Sequence, residues 1–145
     1  MYFVSLTRLR LRSIIYLPSF YMANERAVKQ ITHTDGFIKG FELIDKGLTF
    51  WTVSVWTTDA AMKYFRNNGA HQQAMRKLPG WCSEASYAHW MQETDTIPDW
   101  EFMYQKLINE GKVTKVKHPT ERQAEKLYPP PAWRKSARNI TPFKA

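Results

Sequence analysis

Leu48-Thr49-Phe50-Trp51-Thr52-Val53-Ser54-Val55-Trp56 decides the fold. Nine residues rich in β-branched and aromatic side chains read as a strand, and apolar bulk falls on both of its faces. Trp51, Val53 and Val55 share one face, while Phe50 and Trp56 flank Thr52 and Ser54 on the other. A strand apolar on both sides is central and needs a layer on each face. Upstream, Asp45-Lys46-Gly47 supplies a hairpin turn, so Phe37–Ile44 reads as its antiparallel partner.

Working outward, Tyr2–Leu11 alternates like a strand, with Val4, Leu6, Arg8 and Arg10 on one face. Pro18 suits a helix start, and Phe20, Ala23, Ala27, Val28 and Ile31 recur at helical spacing before Thr34-Asp35-Gly36. Thr58-Asp59 caps the next helix, which Gly69 divides and Pro79-Gly80 ends. Glu84–Met91 alternates again, and Pro98–Asn109 carries Trp100, Met103, Tyr104, Leu107 and Ile108 on one stripe. The order is β-α-β-β-α-β, a ferredoxin-like α+β unit, followed by a helix and an arm. Residues 1–110 form the domain and 111–145 a basic, proline-rich C-terminal arm. Helices cover one face of such a sheet. Assigning Phe50 and Trp56 to the bare face predicts that a second copy covers them, giving a homodimer.

The net charge of +8 is not spread evenly. Residues 1–110 hold 12 Lys/Arg against 11 Asp/Glu, whereas 111–145 hold nine against two, with five of the eight prolines. That composition reads as an arm on its own domain or a partner, with Trp133 as its anchor, and argues against a nucleic-acid surface. No apolar run is long enough for a membrane span. Arg8, Arg10 and Arg12 break the N-terminal apolar stretch, unlike a signal peptide. One cysteine, Cys82, fits a reducing cytoplasm.

Several stretches carry a resemblance: Thr7-Arg8-Leu9-Arg10-Leu11-Arg12-Ser13, Phe50 to Trp56, Gly69-Ala70-His71 and Trp81-Cys82-Ser83-Glu84-Ala85-Ser86. With the strand–helix plan, residues 2–92 resemble the antibiotic-biosynthesis-monooxygenase-like superfamily of dimeric α+β barrels, in a branch related to spheroidene monooxygenase. The resemblance implies a small-molecule monooxygenase acting on an apolar or aromatic substrate held between sheet and helices. Haem-degrading members use an Asn, a Trp and a His where this sequence has Thr7, Phe65 and Met75, so that chemistry is not expected. No cofactor is predicted, and haem stays open only through another histidine.

His71, at the helix break, is the candidate catalytic base, with a hydrogen-bonded helix residue as the bland alternative. Arg8, Arg10, Thr52, Trp56, Phe65 and His89 are candidate substrate-binding residues. For Arg8 and Arg10 the competing reading is an internal ion pair with Glu84 or Glu42. Cys82 reads as a buried inert thiol. No His or Cys spacing suggests a metal, and no glycine-rich loop suggests a nucleotide. The alternative from another class is a non-catalytic ligand-binding or scaffold homodimer.

Overall fold

The computed structural model describes residues 1–133 and 137–144. Its strands are β1 (Tyr2–Leu11), β2 (Phe37–Asp45), β3 (Thr49–Trp56), β4 (Cys82–Gln92), β5 (Lys112–Val113) and β6 (Ala137–Ile140). Its helices are α1 (Leu17–Thr32), α2 (Asp59–Arg66), α3 (Gly69–Trp81) and α4 (Trp100–Glu110). They form one antiparallel sheet in the order β5-β4-β1-β3-β2-β6. The inner four strands are the expected ferredoxin-like unit, and the arm adds a short strand to each edge.

Local chemistry explains the boundaries. Thr58 caps α2, its hydroxyl accepting from the Ala61 N–H at 3.1 Å, and Asp99 caps α4 through the Phe102 N–H at 2.9 Å. Gly36 sits at φ +89°, and a Cβ there would lie 2.6 Å from Ala61 Cβ, so α2 can close over this turn only because the residue is glycine. The helix expected to stop at Pro79-Gly80 runs on to Trp81. Pro79 forgoes one helical N–H bond near the end of α3, and its carbonyl, left free by the helix ending, accepts from the Lys117 N–H at 2.9 Å.

The two faces are filled differently from the expectation. Phe50 and Trp56 lie on the helix-covered front: Phe50 packs on Phe20 of α1, and Trp56 on Phe37 and Phe65. The back carries Val4, Leu6, Leu43, Trp51, Val53, Val55, Ala88 and Trp90, buried beneath Met103 and Leu107 of α4 and Tyr128 of the arm. The placement of Phe50 and Trp56 on a bare face is therefore corrected: the helices cover them, and α4 and Tyr128 of the same chain pack on the opposite face. Aromatic bulk on both sides of β3 satisfied either assignment, and the connections decide which side the helices take.

The arm runs from the back face around both edges and is held by specific bonds. The Gln123 side chain, 5% exposed, accepts from the Ala85 N–H and donates to the Ala85 carbonyl, both at 3.0 Å. Tyr128 donates to Gln123 Oε1 at 2.7 Å, and Tyr104 donates to the Tyr128 carbonyl at 2.6 Å. Asp45 accepts from the Trp51 indole at 3.0 Å and from the Ala132 and Trp133 N–H groups at 2.9 and 3.0 Å. The Trp133 ring, expected to anchor the arm by packing, is instead 52% exposed; its backbone makes the attachment.

Candidate functional site

Between the front of the sheet and helices α1, α2 and α3 lies a cavity of about 430 Å³. Sheet register builds its floor, because residues paired across antiparallel strands share a face. One rung runs Tyr87, Thr7, Thr52, Glu42 and Arg138 through β4, β1, β3, β2 and β6. The next runs His89, Ser5, Ser54, Gly40 and Ile140. Gly40 permits a close strand approach here, since a Cβ would meet the Val53 carbonyl oxygen at 2.5 Å. From Tyr87 on β4 to Glu42 on β2 is three strand spacings, about 14 Å. The floor is thus lined with hydroxyls, while Ala27, Val28, Ile31, Met62, Phe65 and Leu78 give an apolar roof.

His71 lines this cavity from the first turn of α3. Its N–H donates to Gln30 Oε1 at 2.9 Å, and Gln30 Nε2 donates to the Phe65 and Asn68 carbonyls, joining α1 to the α2–α3 break. The ring lies 4.6 Å from Phe65, and Nδ1 is 3.2 Å from the Arg66 carbonyl. A carbonyl only accepts, so Nδ1 carries the proton and Nε2 keeps its lone pair. Burial holds the imidazole below its ordinary pKa, more than the Arg66 carbonyl raises it, and the Arg66 charge lowers it further. His71 is accordingly neutral at pH 7.

His89 also lines the cavity, 5.0 Å from the Tyr87 ring and 5.1 Å from Phe3. Burial lowers its pKa, assisted by the charges of Arg66, Lys63 and Lys112. Thr52 and Phe65 belong to the lining. Trp56 does not: it is fully buried behind Phe65, its indole donating to Ser54 Oγ at 2.9 Å.

Arg8 and Arg10 are on the back face and away from the cavity, so they cannot grip a ligand within it. Arg8 donates to Glu84 Oε1 at 2.6 Å and lies 4.0 Å over the Tyr128 ring. Arg10 and Arg122 each approach Glu84 Oε2 at 3.3 Å, and Thr120 donates to that oxygen at 2.6 Å. The internal ion pair is the outcome, with Glu84 as the acid. Burial would raise the Glu84 carboxyl, but bonds from Thr120 and Arg8, with the charges of Arg8 and Arg122, hold it below its ordinary value. Cys82 is wholly buried, and burial pushes its thiol up to about 12.

Sequence reading missed Glu42 and Asn24 as lining residues. They lie on different elements and meet only when α1 packs on β2, although the alternation of Phe37–Ile44 does put Glu42 on one face with Gly40. Among the described residues no three His, Cys, Asp or Glu side chains are placed to hold a metal. Haem fits this lining poorly: among the described residues Arg66 is its one Lys or Arg, against two propionates. Among the described residues no helix is long and apolar enough to cross a membrane.

No protein-family model matches the sequence, and no curated protein matches it. Solved structures do match in fold. SnoaB, a cofactor-independent oxygenase from Streptomyces nogalater, is 15% identical with a TM-score of 0.54, over 68% of this chain and 98% of that one. Rv0793 from Mycobacterium tuberculosis is 7% identical with a TM-score of 0.58, over 67% and 100%. An antibiotic biosynthesis monooxygenase is 6% identical with a TM-score of 0.56, over 63% and 99%. None of the three carries the spheroidene monooxygenase name. The matches span about two-thirds of the chain, which has the fold of the antibiotic-biosynthesis-monooxygenase-like proteins.

Proposed function

We propose that the chain is a cofactor-independent monooxygenase that oxidises an apolar, electron-rich aromatic molecule with O₂. The observation that carries this reading is the cavity, which joins an apolar roof and a hydroxyl floor to one neutral, fixed histidine. Its likeness in fold to SnoaB, a cofactor-independent oxygenase, supports the same reading. His71 Nε2 removes a proton from an activated CH₂ of the substrate. The apolar surroundings exclude water from the resulting carbanion. That anion reduces O₂, and a C–O bond forms to give a peroxide. The proton returns from His71, and the hydroperoxide loses water to leave a carbonyl. One CH₂ and one O₂ thus become one C=O and one H₂O, both oxygen atoms being reduced by electrons from the substrate. Thr7, Thr52, Ser5 and His89 orient polar groups of the ring system, and Phe65 fixes the His71 ring.

Oxygen uptake by the full chain with an anthrone as probe tests this. Uptake equimolar with anthrone is expected, and His71→Ala is expected to slow it by about 10²–10⁴-fold. Binding of the anthrone without protein-dependent uptake would refute the enzyme and leave a ligand-binding protein.

A further inference from the structure

Glu42 lies on β2, three strands along the rung from Tyr87 and next to Arg138, and its side chain is 14% exposed. Its two oxygens are not equivalent. Oε2 accepts from Asn24 Nδ2 of α1 at 3.1 Å and from the Arg138 guanidinium of β6 at 3.0 Å. Arg138 divides its charge, since its other terminal nitrogen lies 2.9 Å from Glu25 Oε1. Among the described residues Oε1 has no hydrogen-bond partner. Oε1 is therefore a spare acceptor on a mostly buried side chain that lines the cavity, open to whatever occupies it. Asn24 and Arg138 also fix the side chain, so the spare acceptor is held in place before any ligand arrives.

We infer that Glu42 is a specificity-determining residue that accepts a hydrogen bond from a ring hydroxyl of the ligand, so that the cavity selects phenolic aromatics over their ethers. The spare acceptor next to an apolar roof matches a flat hydrocarbon body with a donor at its edge. A methoxy group at that position would bring only acceptor oxygens to Oε1 and leave the carboxylate desolvated and unmatched. The inference rests on reading the cavity as the substrate site, and it names the class of substrate. It also gives the arm a part in recognition, because Arg138 comes from β6.

Titration calorimetry of the full chain with 2-naphthol and 2-methoxynaphthalene at neutral pH tests this without turnover. The naphthol is expected to bind tighter by about tenfold or more, the effect of one hydrogen bond to a charged acceptor. In Glu42→Gln the amide oxygen takes over the bonds from Asn24 and Arg138, which leaves an NH₂ donor toward the ligand. The preference should then shrink to about threefold or reverse. Equal affinities in the unaltered chain, or no binding of either compound, would overturn the inference even if the variant failed to fold. A preference unchanged in Glu42→Gln would overturn it too. Preference without oxygen uptake from an anthrone refutes the enzyme and keeps Glu42; uptake without preference does the reverse.

Discussion

Glu84→Gln should be among the most damaging single changes outside the cavity, and its cost can be reasoned from geometry. Arg8 is 2% exposed, Glu84 supplies its carboxylate, and among the described residues Arg8 Nε already lacks a partner. Removing the negative charge leaves a buried guanidinium uncompensated, a loss of about 3–5 kcal/mol. Ordinary domain stability is only about 5–15 kcal/mol. Arg10 and Arg122 are about a third exposed and can turn to water, so they add little to the cost. The converse change, Arg8→Met, should cost less, about 1–2 kcal/mol, because Glu84 keeps Thr120, Arg10 and Arg122. Urea unfolding measures both. With a slope of about 2 kcal/mol per M, Glu84→Gln lowers the midpoint by roughly 2 M and Arg8→Met by about 0.5–1 M. The pH dependence follows the same pair. The Glu84 carboxyl is held below its ordinary value, so its contribution is complete above about pH 4.3 and is lost as pH falls through the lowered folded value. Glu84→Gln removes that acid-side dependence. Equal costs for the two variants, or a loss under about 1 kcal/mol for Glu84→Gln, would refute the reasoning.

The pH profile of kcat/KM for anthrone oxidation should have its acid limb below the ordinary histidine value of about 6.5. Burial favours neutral His71, so the base survives until pH falls through its lowered pKa; a limb at or above 6.5 would exclude His71. Sedimentation of the full chain at micromolar concentration should give single protomers, because α4 and Tyr128 already cover the sheet's back face; a stable dimer would require another surface. Cys82 should resist a thiol reagent at pH 8 in the native state and react only on unfolding; labelling at a free-thiol rate in folded protein would contradict its burial.

The inner four strands were legible because alternation and turn residues agree there. Tyr2–Leu11 and the Asp45-Lys46-Gly47 hairpin signal show this most directly. The edge strands were not. Lys112–Val113 is two residues long, and Ala137–Ile140 carries charged and polar side chains, so neither has an apolar face for a period to mark. Within the site, Thr52, Phe65, His71 and His89 do reach the cavity. Arg8 and Arg10 were misplaced for the same reason as Phe50 and Trp56, because alternation groups residues on a face without saying which layer covers it. Glu42 became visible only through its contacts with α1 and β6, which are 18 and 96 residues away in sequence.

The self-covered sheet has a consequence for how the molecule responds to its ligand. In a face-to-face pair, a strain arising beneath one cavity could pass through two sheets into the other. Here a displacement of Thr7 or Thr52 passes through β1 and β3 to Leu6, Trp51 and Val53, and meets Met103 and Leu107 of the same chain. That layer belongs to the chain itself, so the path across the sheet ends within one molecule. Occupancy should therefore follow a simple hyperbola with a Hill coefficient of one, and each molecule should answer to its own ligand alone.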